Sequence, residues 1–299
     1  MSLSSYILFW VCILGLCLGS FYNVVILRSL SNESIVFPPS KCPKCNHKLY
    51  WWHNIPVLSY ILLRGKCYFC KEKISIQYPI IEFLTMILFA LSYTKFGLSI
   101  KTLFTMILAS CFIIMTTTDI KEKLVDCNIA IGLAIIGILF AYFSGGVNGV
   151  VASVLGLAAG AIILEIIARI GYIFSKGRAM GEADTYVAGA IGACFGIQNI
   201  IPVLMYSLAA SMIFVLPVFF YNKFKANDKL TCIMGVLFAL SIVFHIVFQN
   251  YLTITCIIVC GVILTYSILK NIKDVENKNY LPFVPALAAG VLYYVSFYF

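Results

Sequence analysis

The chain has 299 residues, of which 62% are hydrophobic and 11% charged, with a mean hydropathy of +1.00. No soluble core of that size would leave enough polar surface to cover it, so the composition excludes a water-soluble globular enzyme and points to an all-α polytopic membrane protein. A formal charge of +9 would suggest a nucleic-acid partner if it were spread over a soluble domain; here it marks topology, and the expected partner is the lipid bilayer, not nucleic acid.

Apolar runs predict ten spans, at 4–27, 79–97, 100–118, 127–143, 147–174, 185–199, 201–221, 231–248, 251–269 and 281–298. Most reach the roughly 20 residues that a helix needs to cross the hydrocarbon; 185–199 is short. The corresponding division is a first anchor at 1–28, a cysteine-bearing loop at 29–78, a membrane core at 79–222, an extra hairpin with its flanks at 223–280, and a final helix at 281–299. With the N-terminus outside, turns fall outside at Ser144–Val147, Gln198–Ile200 and Gln249–Asn250. Every basic residue except Lys95 and Lys101 then falls on the cytoplasmic side, as the positive-inside rule requires. Dropping one span would scatter the lysines over both faces, so ten spans with both termini outside is the expectation. The first span has no basic segment before it and its positive charge follows at Arg28, which reads as a retained anchor and not a cleaved signal.

The loop at 29–78 carries Cys42-Pro43-Lys44-Cys45 and Cys67-Tyr68-Phe69-Cys70, a C-x2-C-x21-C-x2-C pattern. Two such knuckles can complete a closed tetrahedral zinc site; a reduced or redox-active thiol set is the other reading. Disulfides are disfavoured in a loop that faces a reducing compartment. A loop of this size also needs a staple to fold. The remaining cysteines, 12, 17, 111, 127, 194, 232, 256 and 260, read as small packing residues. His47 and His53 read as solvated, and His245 as a polar residue between helices.

Asp119 follows an apolar run that ends in Thr116-Thr117-Thr118, and Asp184 follows Gly181-Glu182-Ala183. Both are placed at the cytoplasmic boundary, and acids at membrane depth are functional candidates by default. The bland alternatives are a loop charge beside Lys121, Glu122 and Lys123 for the first and a helix N-cap for the second. If the two approach closely they should share a proton and act as an acid–base pair. Asp119 ends a helix and Asp184 begins one, so helix dipoles make Asp184 the ionised base and Asp119 the protonated acid. Glu165 and Arg169 are spaced as an i,i+4 pair, Asp126 as a cap for the next helix, and Glu82 fits structural and functional roles equally.

These residues resemble the type IV prepilin peptidases, the bifunctional leader peptidases and N-methyltransferases of pilus, secretion and competence systems. The resemblance rests on Gly19-Ser20-Phe21-Tyr22-Asn23-Val24-Val25-Ile26-Leu27-Arg28, on Asn54-Ile55-Pro56-Val57-Leu58-Ser59 and Leu63-Arg64-Gly65-Lys66-Cys67 within the cysteine loop, and on Tyr78-Pro79 with Glu82. Pro282-Phe283 and Pro285-Ala286-Leu287 continue it. It covers 15–222 and 281–299 and implies that Asp119 and Asp184 are the catalytic pair of a GxGD-type aspartic membrane protease. Here the motif is Gly181-Glu182-Ala183-Asp184: Ala183 stands where the family has Gly, and Glu182 adds a like charge. His53 and Gln77 also depart from the family pattern, in the region tied to methyl transfer. The resemblance further implies prepilin or pseudopilin substrates cut after a Gly, S-adenosylmethionine as methyl donor, structural zinc on Cys42, Cys45, Cys67 and Cys70, and a multi-pass protein of the bacterial inner membrane. It does not place the cofactor-binding residues, and 231–269 is an extra hairpin beyond the family's eight spans. Rival readings are a peptidase without methyl transfer, a transporter, for which no inverted repeat is found, and a non-catalytic scaffold, favoured only by Ala183.

Overall fold

The computed structural model describes residues 3–31, 33–37, 39–175, 181–225, 233, 235–237 and 283–299. Most of the expected hairpin at 231–269, with His245, Cys232, Cys256 and Cys260, lies outside the described residues, as do Lys176, Arg178 and Lys229. Regular structure is helical apart from two isolated antiparallel bridges, Lys41 with Lys48 and Lys66 with Lys73. In chain order come α1 (Leu3–Ser31), a 3-10 turn at Trp51–Asn54, α2 (Leu58–Leu62), α3 (Gln77–Phe96), α4 (Ile100–Glu122), α5 (Cys127–Ser175), α6 (Glu182–Lys225) and α7 (Val284–Phe297). Five of these (α1, α3 and α4, with α5 to Ile170 and α6 to Ser211) are long and apolar enough to cross a membrane.

Two helices double back. α5 breaks at Gly146 (φ 58°, ψ −143°) and α6 at Gly196 (φ 75°, ψ 170°), conformations that a side chain resists. Gly149 lies against the Ala141 carbonyl, although residues eight apart in a straight helix stand about 12 Å apart. Gly160 likewise meets both Ala188 and Ile200. The first break falls inside the turn expected at Ser144–Val147. The second corrects the one expected at Gln198–Ile200: glycine, not the polar pair after it, sets the reversal. Asn199 instead opens the second arm and donates Nδ2–H to the Phe195 carbonyl at 3.0 Å.

Small residues let the helices meet backbone to backbone, the usual way to gain packing where lipid gives no hydrophobic drive between helices. A Cβ at Gly15 or Gly19 of α1 would stand 2.7 Å from the Cα of Met86 or Glu82 in α3. Gly156 faces Gly192 across α5 and α6, and the Ser153 hydroxyl donates to the Ala193 carbonyl there at 2.6 Å. The main core joins α4, α5, α6 and α7 through Phe112, Met115, Leu133, Leu164, Val187 and Leu287. Large apolar side chains such as Phe9, Trp10, Leu14 and Phe21 remain on the outside of α1, where a bilayer would cover them.

The two basic residues expected on the outside, Lys95 and Lys101, have a task. Lys95 Nζ donates to the Val295 and Ser296 carbonyls, and Lys101 Nζ to the Phe299 carbonyl at 3.2 Å. They serve the orphan carbonyls at the end of α7, so its beginning lies toward the opposite end of α4. Expected local pairs are also present: Arg169 Nε donates to Glu165 at 2.9 Å, and Asp126 accepts the Asn128 N–H at 2.9 Å to cap α5.

Candidate active site and metal centre

The end of α4 and the starts of α6 and α7 converge on two carboxyl groups. Asp119 is 6% exposed and Asp184 8%, and they are near enough for the charge on Asp119 to act on Asp184. Asp119 closes α4, whose chain then leaves through Lys123 in the left-handed conformation (φ 55°). Its Oδ2 accepts the Val284 N–H at 3.0 Å, and the Phe283 amide also reaches the carboxylate. Asp119 therefore sits on the N-terminus of α7 as well as at the C-terminus of its own helix, a partnership with no local trace in the sequence.

Asp184 is the third residue of α6 rather than its cap. From there its Oδ2 accepts the Gly181 N–H at 3.0 Å, while its own N–H meets the Gly181 carbonyl at 3.3 Å, in the manner of a capping-box acid reaching back over the first turn. Both carboxylates thus lie at helix N-termini and take backbone donors. The dipole argument that made one the base and the other the acid loses its footing, because it counted only the helix each residue belongs to. Glu182 and Ala183 both lie in the first turn of α6, a helical conformation in which no glycine is required. Thr116 lies three residues before Asp119, about one turn earlier on α4. Thr117 and Thr118 bond back to carbonyls of their own helix, but the buried Thr116 hydroxyl has no partner among the described residues.

The four predicted ligands converge too. The sulfurs of Cys42, Cys45, Cys67 and Cys70 all lie within 4.8 Å of one another, and those of Cys42 and Cys70 are 3.9 Å apart. Zinc with bonds of about 2.3 Å holds its tetrahedral sulfurs about 3.8 Å apart, so this donor set fits. The two knuckles repeat each other bond for bond. Cys42 N–H donates to His47 and Cys67 N–H to Glu72; Asn46 N–H donates to Cys42 and Lys71 N–H to Cys67; Leu49 N–H donates to Ser40 and Ile74 N–H to Gly65. Asn46 and Lys71, at matching positions, both take positive φ (56° and 60°). The Cys70 backbone N–H holds the Cys67 thiol down at about 7, against the opposing effect of burial; a depressed thiol is a better metal ligand.

Glu82 joins this loop to the membrane helices. It is 5% exposed on α3, accepts the Val57 N–H at 2.7 Å and is reached by the Ser20 hydroxyl of α1. Val57 has a strained positive φ of 59°, which that carboxylate helps to hold. Asn23, fully buried, donates Nδ2–H to the Gly19 and Tyr78 carbonyls at 3.2 Å each and accepts from Gln77. His47 is exposed and stacks on Phe69 at 4.5 Å. His53 corrects the solvated reading: it is 9% exposed, because the rings of Tyr50, Trp52, Tyr68 and Phe69 surround it.

Comparison with known proteins follows this layout. The family model for the bacterial Peptidase A24 N-terminal domain matches residues 13–96, and that for the type IV leader peptidase family matches residues 106–216. A prepilin leader peptidase/N-methyltransferase of Neisseria gonorrhoeae is 35% identical over 218 residues, spanning 65% of this chain and 76% of its own. One of Bacillus subtilis is 32% identical over 203 residues, spanning 66% and 77%. For one of Myxococcus xanthus the figures are 32% over 195 residues, with 65% of this chain but 58% of the relative's own length covered. No solved structure matches the chain.

Proposed function

This chain belongs to the type IV leader peptidase family, and from that premise we propose that it is an aspartic endopeptidase of the bacterial inner membrane. It removes the basic leader of prepilins or pseudopilins after a Gly and then N-methylates the new N-terminus. The single observation that most supports the cleavage is the pair Asp119 and Asp184, buried, mutually within electrostatic reach and each held by backbone amides. The topology proposed with it is ten spans with the cysteine loop and both aspartates on the cytoplasmic side.

At that boundary a substrate is set in register by solvation: leader charges stay in water and the apolar helix stays in lipid. The pair shares one proton. The ionised carboxylate takes a proton from water, whose oxygen attacks the scissile carbonyl; the protonated partner gives its hydrogen to the developing oxyanion. Collapse of the intermediate breaks the C–N bond, and the amine leaves with a proton returned from the dyad. Water supplies both the hydroxyl and the hydrogen, so no covalent enzyme intermediate is needed. Backbone donors at Val284 and Gly181 hold the carboxyl groups in place throughout.

Zinc on Cys42, Cys45, Cys67 and Cys70 has a structural role, with all four ligands from protein and no open position. For the second activity, S-adenosylmethionine supplies the methyl group, and the amine released by cleavage is its acceptor.

Co-expression with a prepilin tests this reading. Asp119→Asn and Asp184→Asn should each leave uncut precursor, whereas the parent chain should yield a shortened product whose mass includes one added methyl. Normal processing by either variant removes that residue from the pair, and an unmethylated product removes the second activity while leaving the first.

A further inference from the structure

Two short pieces of the cysteine loop are apolar, exposed and pinned to the ends of membrane helices. α2 carries Leu58, Ile61 and Leu62 on one face, at i, i+3 and i+4. All three side chains are exposed, whereas Ser59 and Tyr60 are half-buried, the Tyr60 ring against Gly65 of the second knuckle. Val57, the residue before α2, sets the depth of this helix by donating its N–H to Glu82 at 2.7 Å. Glu82 stands five residues into α3, about 7 Å from the cytoplasmic end of that helix. α2 therefore starts beside the wall of a membrane helix and not beyond it. The second piece, Ile35-Val36-Phe37, follows closely on the end of α1. Arg28 folds it back onto the last turn of α1, its guanidinium donating to the Ser34 and Ile35 carbonyls at 2.8 and 2.9 Å. Val36 and Phe37 are each 74% exposed.

We infer that these two apolar pieces seat in the adjoining leaflet of the bilayer, and that the cations beside them hold anionic lipid headgroups there. The inference goes beyond the proposed reaction and gives the cysteine loop a membrane-binding surface of its own. Around the start of α3, Ile76, Ile80, Phe83 and Leu84 are also exposed and share one helix face, so lipid already covers apolar surface at this depth. Trp51 and Trp52, both exposed, come shortly before α2 and are of the type that gathers where hydrocarbon meets water. Charge selects the lipid. Residues 39–76 carry seven basic side chains against one acid, Glu72, and Arg64 and Lys66, both exposed, follow directly on α2. A zinc held by four thiolates has two net negative charges, which leaves the balance positive. An anionic leaflet attracts such a segment, whereas a second copy of the loop or the basic leader of a substrate would meet it as like charge.

Tryptophan fluorescence of the full chain in nanodiscs of mixed phosphatidylcholine and phosphatidylglycerol reads the seating. The chain has three tryptophans. Trp10→Phe leaves Trp51 and Trp52 as reporters; replacing all three with Phe and adding Ile61→Trp puts a single reporter on α2. Both chains should lose fluorescence to lipid brominated high on the acyl chain, less to lipid brominated at the chain end, and should resist aqueous acrylamide. Bromine carried by phosphatidylglycerol alone should quench more than the same amount carried by phosphatidylcholine alone, and Arg64→Gln with Lys66→Gln should remove that preference. Bound zinc and unfolding temperature, measured on the same samples, show that each variant is folded. Free access of acrylamide with no quenching by bromine in either chain overturns the seating. Protection from acrylamide without quenching by bromine means that protein covers the face, and overturns it as well. Equal quenching by the two lipids overturns the anionic headgroup.

Discussion

The Val284 N–H donates to Asp119 Oδ2 at 3.0 Å, so the first turn of α7 holds a carboxylate at the last turn of α4. Proline at 284 would remove that donor at a helix position where proline is otherwise well accommodated. A hydrogen bond to a charged group is worth about 1.5–3 kcal/mol, or about 10- to 100-fold in rate. Val284→Pro should lower kcat for prepilin cleavage by that factor with little change in KM, as measured on purified enzyme in detergent.

Ala183 stands in the first turn of α6 with negative φ. Restoring the family's glycine should therefore bring no gain. Ala183→Gly should leave kcat/KM within about twofold and cost up to about 1 kcal/mol in stability, the ordinary helix penalty. A large rise in activity would contradict a helical first turn.

The cysteine cluster should hold one zinc per chain. Elemental analysis should show that Cys42→Ser or Cys67→Ser loses it, while Cys17→Ser, at an exposed position on α1 outside the cluster, keeps it. Chelation should make 39–76 sensitive to protease, since two knuckles without metal lack the core to stay folded.

Gly19 is pressed against the α3 backbone beside Glu82. Gly19→Val should cost about 1–3 kcal/mol or more, because a helix backbone gives way less readily than a side chain. It should also loosen the cysteine loop by moving the carboxylate that holds Val57. Thermal unfolding and limited proteolysis would register both effects together.

Lys95 and Lys101 bond to carbonyls at the end of α7. Replacing both with Met should cost about 0.5–2 kcal/mol in total and leave cleavage kinetics unchanged, because the dyad lies toward the other end of α4.

The aspartates and the cysteine quartet were legible because local spacing and hydropathy carry them: acids at the edge of an apolar run, paired thiols two residues apart. Gly146 was legible as part of a polar turn. Gly196 was not, because Gln198 and Asn199 advertise polarity while a lone glycine in an apolar run advertises nothing, even though only glycine tolerates the angle. His53 was misjudged because the aromatic residues that bury it are themselves ordinary loop residues until the knuckles close and bring Tyr68 and Phe69 back to it. The donor to Asp119 lay beyond any window, being a backbone amide, which has no letter of its own.

The span of chain between those two partners bears on biogenesis. Translation delivers Asp119 to the membrane well before Val284, which follows 165 residues later. Until α7 has inserted, a nascent polypeptide would lack the amide that holds the Asp119 carboxylate, so this part of the site can assemble only once the bundle is closed.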